Sequence, residues 1–183
     1  ATTGLMIGLT YTCLCDVSMS FVVAIDAPAG SGKGSITKII ADKMNLSCID
    51  TGAMYRCVTL DMINKNINVD ELDKVKELLK NIDINIDEEN QKVYLNGEDV
   101  TKKIRSIEVT KQVSKVSAIK EVRLKLVDMQ RKIAKNKDII MEGRDITTVV
   151  FPNADVKIYL DADVEERAKR RFKQNEEKGI ESK

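Results

Sequence analysis

Apolar positions along the chain change period several times, and each change marks an element. Phe21 to Ile25 is a short unbroken apolar run, the pattern of a strand buried on both faces of a parallel sheet. From Lys33 to Met44, Ile36, Ile39, Ile40 and Met44 recur at helical spacing, which predicts a helix packed on the sheet through that stripe. Leu46 to Ile49 predicts a second short strand, and the segment from Asp50 to Arg56 should open another helix. Glu71 to Asn81 is amphipathic, with Leu72, Val75, Leu78, Leu79 and Ile82 on one face. The period then falls to two: Ile82, Ile84 and Ile86 alternate with polar residues, Glu88-Glu89-Asn90-Gln91 is turn-like, and Val93 and Leu95 alternate again. This predicts a β-hairpin, with a further turn at Asn96-Gly97. Ile107 to Ala118 and Lys120 to Lys135 read as helices, marked by Val109, Val113 and Val116 and by Val122, Leu126, Met129 and Ile133. Asp138 to Met141 and Val156 to Leu160 read as strands, and Glu165 to Glu177 as a polar helix rich in Arg and Lys.

Strands that alternate with helices predict an α/β fold with a parallel sheet and helices on both faces. The hairpin interrupts that alternation, so it belongs to a small inserted sheet. Ligands of such folds bind beyond the carboxyl ends of the strands. Three polar clusters fall there: Ala27 to Lys33, Asp50 to Arg56, and Glu142 to Asp145. Residues 1–18 carry one charge, Asp16, and no clear period, and read as a disordered or incidental extension to a single domain over 19–183. They lack the leading positive charge of a signal peptide and are too short and too polar for a membrane span.

Composition removes several function classes. The net charge of +1 gives no basic field for nucleic acid. No Trp, four Tyr and three Phe leave little surface on which single-stranded bases would stack. The chain has no His, which removes His-based acid–base catalysis and His-ligated zinc. Cys13, Cys15, Cys48 and Cys57 fit neither a zinc spacing nor a disulfide framework, and free thiols suit a cytoplasmic location.

Positive chemistry is concentrated at Val22–Ser35. A β-branched run stops at Ala27-Pro28-Ala29-Gly30-Ser31-Gly32-Lys33-Gly34-Ser35, and a helical pattern follows. This strand–loop–helix context is the one a phosphate-binding loop needs. Gly30 and Gly32 let the backbone close around phosphate oxygens, N–H groups and the helix N-terminus face the anion, and Lys33 reaches the β- and γ-phosphates. Ala27 replaces the first Gly of the general pattern, and Gly34 stands where its hydroxyl is expected, which comes one residue later at Ser35. Nucleoside monophosphate kinases share that second variation.

The later motifs narrow the class. Asp50-Thr51-Gly52-Ala53-Met54-Tyr55-Arg56, Leu95-Asn96-Gly97-Glu98-Asp99-Val100, Val113-Ser114-Lys115-Val116-Ser117, Glu121-Val122-Arg123, Glu142-Gly143-Arg144-Asp145 and Thr148-Val149-Val150-Phe151-Pro152 follow the phosphate loop in order. Over about residues 20–180 the chain resembles the bacterial cytidylate kinases, which phosphorylate CMP and dCMP with ATP. The resemblance implies a core of about 19–60 and 136–163, a monophosphate-binding insertion of about 61–135 and a lid beginning at about 164. It also implies ATP and Mg²⁺ as cofactors, CMP or dCMP as acceptor, a monomer, and neither nucleic-acid nor membrane partners.

Phosphoryl transfer needs two nucleotides held in line and a spreading negative charge neutralised. The residues implied as catalytic are Lys33, Arg56 and Arg144. Lys33 and the loop from Ala27 to Ser35 would hold the donor, with Arg167 and Arg171 from the polar helix, while Arg56 and Arg144 would hold the acceptor's phosphate. Ser114, Arg123 and Asp145 are implied to meet the base. Cytosine offers an N4 donor with N3 and O2 acceptors, so Asp145 suits N4 while Arg123 and Ser114 suit N3 and O2; uracil would set O4 against the carboxylate. Thr51 and Tyr55 would line the acceptor pocket, Thr51 with the alternative of capping its helix. Glu142 or Asp26 would reach Mg²⁺ through water.

Two departures from the family pattern stand out. Family chains continue beyond Lys183 with more of the lid and a last strand and helix, so the chain as given is expected to turn over weakly. Thr147 stands where the family usually has Gly, and a β-branched residue would resist a positive φ there. Other monophosphate kinases, acting on AMP, UMP or a shikimate-like acceptor, and a non-catalytic phosphate-loop module are the competing readings. A GTPase is disfavoured because the chain has no Asn-Lys-x-Asp motif.

Overall fold

A computed structural model describes residues 20–176, with the side chains of 171 and 174–176 left aside. The extension of residues 1–18, Cys13 and Cys15, and the last part of the expected lid therefore lie outside the described residues. The core is a parallel sheet of β1 (Val22–Asp26), β2 (Ser47–Asp50), β6 (Ile139–Gly143) and β7 (Val156–Tyr159), in the order β2-β6-β1-β7. Asp26 sits level with Gly143 and Tyr159, and Asp50 with Glu142, so four strand ends share one edge.

Strand alternation sends successive side chains to opposite faces. Ala24, Ile49, Ile139 and Met141 pack on one side with Ile146, Val150 and Ala134; Val23, Ile25 and Ile140 pack on the other with Ala41. α1 (Lys33–Met44) covers the second face and α5 (Lys120–Ala134) the first, as the sequence predicts for helices on both faces. The expected stripe of α1 holds only at Ile40, which is half-buried against the sheet. Thr37 and Ala41 are the buried positions, whereas Ile36, Ile39 and Met44 are 40%, 55% and 52% exposed. The helix lies close to the strands through its smallest side chains and beside the Glu142 carboxylate, and its Ile-rich face is turned outward.

A larger apolar cluster joins α2 (Thr51–Asn64), α3 (Leu72–Asn81), α4 (Ile107–Ser117) and α5 to the antiparallel sheet of β3 (Ile84–Asp87), β4 (Lys92–Leu95) and β5 (Glu98–Asp99). The hairpin appears where alternation placed it. Asn96 (φ 50°) and Gly97 (φ 84°) form the tight two-residue turn that adds β5, a strand too short for any period to announce. Glu88, just past β3, accepts the Cys48 N–H at 2.9 Å, so the insertion caps the outer edge of β2. β7 forms the other edge, with Val156 39% and Tyr159 71% exposed. The last described helix, α6 (Val164–Glu176), returns to the carboxyl edge of the sheet.

Candidate functional site

The first polar cluster leaves the end of β1. Gly30 and Gly32 have φ of +80° and +86°, the left-handed region where glycine is the unstrained choice. α1 starts directly after Gly32 with no side-chain cap, leaving its first N–H groups directed at the loop. The Ser31 hydroxyl is buried without a hydrogen-bond partner among the described residues, a further polar group in this cradle. A Cβ on Gly34 would sit 3.4 Å from Glu142 Oε1, in ordinary contact, so the start of the helix lies directly against that carboxylate.

That carboxylate is the most perturbed acid of the site. Glu142 is buried, accepts the Thr37 hydroxyl at 3.3 Å on Oε2, and has its pKa pushed up to about 7. Burial is the main cause and the Asp50 charge adds to it, while the Lys33 ammonium and the Thr37 hydrogen bond act against it. Lys33 is thereby placed next to Glu142 at the mouth of the loop.

The second cluster opens α2. Asp50, not Thr51, caps the helix, accepting the Gly52 N–H at 2.9 Å. Thr51 is buried and donates its hydroxyl to the Glu142 carbonyl at 2.8 Å, which ties α2 to β6. Gly143 is required beside it, because a Cβ there would come within 2.7 Å of Thr51 Oγ1 and Ile146. Arg56 reaches into the insertion, donating to the Ile104 carbonyl at 3.1 Å and the Thr110 hydroxyl at 3.0 Å.

The third cluster follows β6. Arg144 is exposed and forms no ion pair with the described residues. Asp145 pairs with Arg123 of α5, and half-buried Tyr55 lies close enough that burial and the Asp145 charge raise its hydroxyl pKa while Arg123 opposes them. Arg123, Asp145 and Tyr55 therefore lie together. Ser114 lies on the exposed side of α4, and its carbonyl accepts from Ser117. Asp26 is fully engaged elsewhere: its carboxylate accepts from the N–H groups of Ile146 (2.7 Å) and Thr147 (2.9 Å) and from the Thr147 hydroxyl (2.5 Å). Of the two acids considered for a hydrated Mg²⁺, only Glu142 keeps an oxygen, Oε1, without a hydrogen bond among the described residues. Thr147 is not among the described residues with positive φ, so the β-branched side chain fits without strain.

α6 lies over the phosphate loop. A Cβ on Gly30 would come within 3.0 Å of the Arg167 carbonyl. The guanidinium of Arg167 turns back to the Ala162 carbonyl at 3.0 Å. Arg170 instead donates to the Ser31 carbonyl at 3.1 Å while paired to Glu166. The side chain of Arg171 lies outside the described residues. Among the described side chains of α6, Arg170 is the cation at the loop. Sequence reasoning missed Arg131, which donates to the carbonyls of Val149 (2.7 Å) and Val150 (2.9 Å), and nothing in the sequence distinguishes it from a solvent-facing charge on α5.

Comparison with known proteins agrees with this geometry. The family model described as cytidylate kinase matches residues 23–183. The cytidylate kinase of Fusobacterium nucleatum is 54% identical over 162 residues, which cover 88% of this chain and 73% of that protein. The cytidylate kinases of Caldicellulosiruptor saccharolyticus (87% of this chain, 71% of that protein) and Alkaliphilus oremlandii (89% and 75%) are 53% and 51% identical. A phosphate loop, a facing Arg–Asp pair on the same sheet edge and this similarity together show that the chain belongs to the cytidylate kinase family of nucleoside monophosphate kinases.

Proposed function

We propose that the chain transfers the γ-phosphoryl group of ATP to CMP or dCMP, giving ADP and CDP or dCDP. The observation that carries this reading is the Arg123–Asp145 pair beside Tyr55, one strand away from the phosphate loop. The pair offers a donor and an acceptor side by side, which matches N3 and N4 of cytosine. Ser114 lies on the neighbouring helix and would complete the edge at O2. Uracil reverses both positions and would leave a buried donor or acceptor unmet.

The loop from Ala27 to Ser35 and Lys33 bind the donor phosphates, and Arg56 and Arg144 orient the acceptor phosphate for in-line attack. Arg170 from α6 is the described helix cation best placed to reach the donor, and Arg167 and Arg171 of the same helix are further candidates. Glu142, with its open Oε1 and Lys33 beside it, is suited to hold a hydrated Mg²⁺, which would neutralise charge on the bridging phosphate oxygens. Thr51 acts by fixing α2 against β6. In this reading the core, the insertion of about 61–135 and the lid from about 164 are the working parts. A monomer in a reducing cytoplasm suits the free Cys57, whose burial pushes its pKa up to about 12, and the absence of long apolar helices among the described residues.

A coupled ADP-release assay across CMP, dCMP, UMP and AMP tests the proposal. CMP and dCMP are expected to exceed UMP by at least about 100-fold in kcat/KM. Comparable rates with UMP would overturn the base assignment, and a preference for AMP would favour another monophosphate kinase.

A further inference from the structure

Asp26 is the last residue of β1 and immediately precedes the phosphate loop. It is 3% exposed, and no described cation pairs with it. A carboxylate so buried must have its charge met by hydrogen bonds. Here the three donors all come from one short segment, the π-helical turn Ile146–Val150 that follows Asp145. Two are the backbone N–H groups of Ile146 and Thr147 at the start of that turn, where unsatisfied donors are available. The third is the Thr147 hydroxyl, a group that glycine would not supply.

The same turn is held at its other end. Arg131 of α5 donates to the carbonyls of Val149 and Val150, and Arg123 of α5 pairs with Asp145. The Ala27 N–H adds a backbone link to Gly143 at 3.2 Å. The turn is thus slung between the root of the phosphate loop and the helix that carries the base-reading arginine. Asp145 directly precedes the two N–H groups that the Asp26 carboxylate holds, its carbonyl accepts from the Val149 and Val150 N–H groups of the turn, and its side chain pairs with Arg123 of α5.

We propose that Asp26, acting through Ile146 and Thr147, is a positioning residue that holds the acceptor-reading Asp145 in register with the donor's phosphate loop. The inference rests on the assignment of Asp145 to the acceptor base. Removing the brace deletes no group that touches nucleotide but lets Asp145 shift relative to the transferred phosphoryl group. A displacement of this kind raises KM for the acceptor and lowers kcat, because transfer depends on alignment.

The test compares D26N, T147V, T147S and D145N in the intact enzyme, with KM for CMP, KM for ATP, kcat and urea unfolding measured for each. T147V keeps the branched shape and loses only the hydroxyl bond. It is expected to raise KM for CMP about threefold to tenfold with KM for ATP within about twofold, and T147S is expected to restore the parent values. D26N is expected to lose about tenfold to 100-fold in kcat/KM for CMP, and the Ile146 and Thr147 amides should lose protection from hydrogen exchange. Unchanged KM for CMP in T147V and D26N, with lowered stability alone, would overturn the proposal. Recovery of D26N at raised Mg²⁺ would also overturn it, by making Asp26 part of a metal site. If D145N leaves KM for CMP unchanged, the base assignment beneath the proposal falls; if D145N is impaired and the other two are not, only the brace falls. Should D26N fail to fold, T147V and T147S decide alone.

Discussion

At the scale of single residues, the site places charges where water is scarce and satisfies them unequally. Asp26 finds three donors, whereas Glu142 finds one and is left with a pKa near 7. The sign follows from linkage. Glu142 has a folded pKa above its ordinary carboxylate value, so the folded state binds more protons between about pH 4.5 and 7, and stability falls as pH rises through that window. E142Q is expected to remove this component. It should raise the melting temperature at pH 8 relative to pH 5.5 by the equivalent of about 2 kcal/mol while reducing turnover, which paired thermal scans at the two pH values would read. Identical pH dependence in parent and variant would place the ionised carboxylate in a better solvated setting. The residues legible in the sequence were those whose types carry chemistry in a motif: the loop glycines, Lys33, and the Arg123–Asp145 couple. Thr51 and Asp26 were not legible in their structural roles, because a short polar side chain at a strand end reads the same whether it faces ligand or backbone.

At the scale of elements, period located nearly every helix and strand, but it did not say which face was covered. α1 is the clearest case. Its Ile36, Ile39 and Met44 satisfy a helical stripe, yet Thr37 and Ala41 face the sheet. The close approach is set by the short Thr and Ala side chains and by the carboxylate above them, which an apolar count does not weigh. I39K is therefore expected to change unfolding free energy by less than about 0.5 kcal/mol, whereas L126A, at a fully buried position of α5, should cost about 2–5 kcal/mol. Urea titrations of both variants would check the contrast; a large loss in I39K would mean that the outward stripe is covered in solution. β5 escaped notice because two residues carry no period, although Asn96-Gly97 announced the turn that makes it.

At the scale of the whole molecule, the sheet edge collects groups that the chain keeps far apart, and α6 closes over them. The parallel α/β class was legible from the alternation of strands and helices. The order β2-β6-β1-β7 was not, because nothing local records which distant strand a parallel strand will join. The closure by α6 predicts a donor-side defect. R170M, which keeps the stem and removes the guanidinium, is expected to lower kcat at least about tenfold while leaving KM for CMP within about twofold. Steady-state kinetics with each substrate varied in turn would show it, and an effect confined to CMP would reassign Arg170 to the acceptor side. The strand order also governs how the chain is made. β1, the root of the phosphate loop, is flanked by β6 and β7, and the Phe21 N–H just before it donates to Asp138 across 117 positions. A ribosome adding about 5–20 residues per second takes on the order of ten seconds to reach that partner. Through that interval β1 is an unpaired apolar strand, so the nucleotide site assembles only after β6 and β7 have been made, and chaperone occupancy during synthesis should include β1.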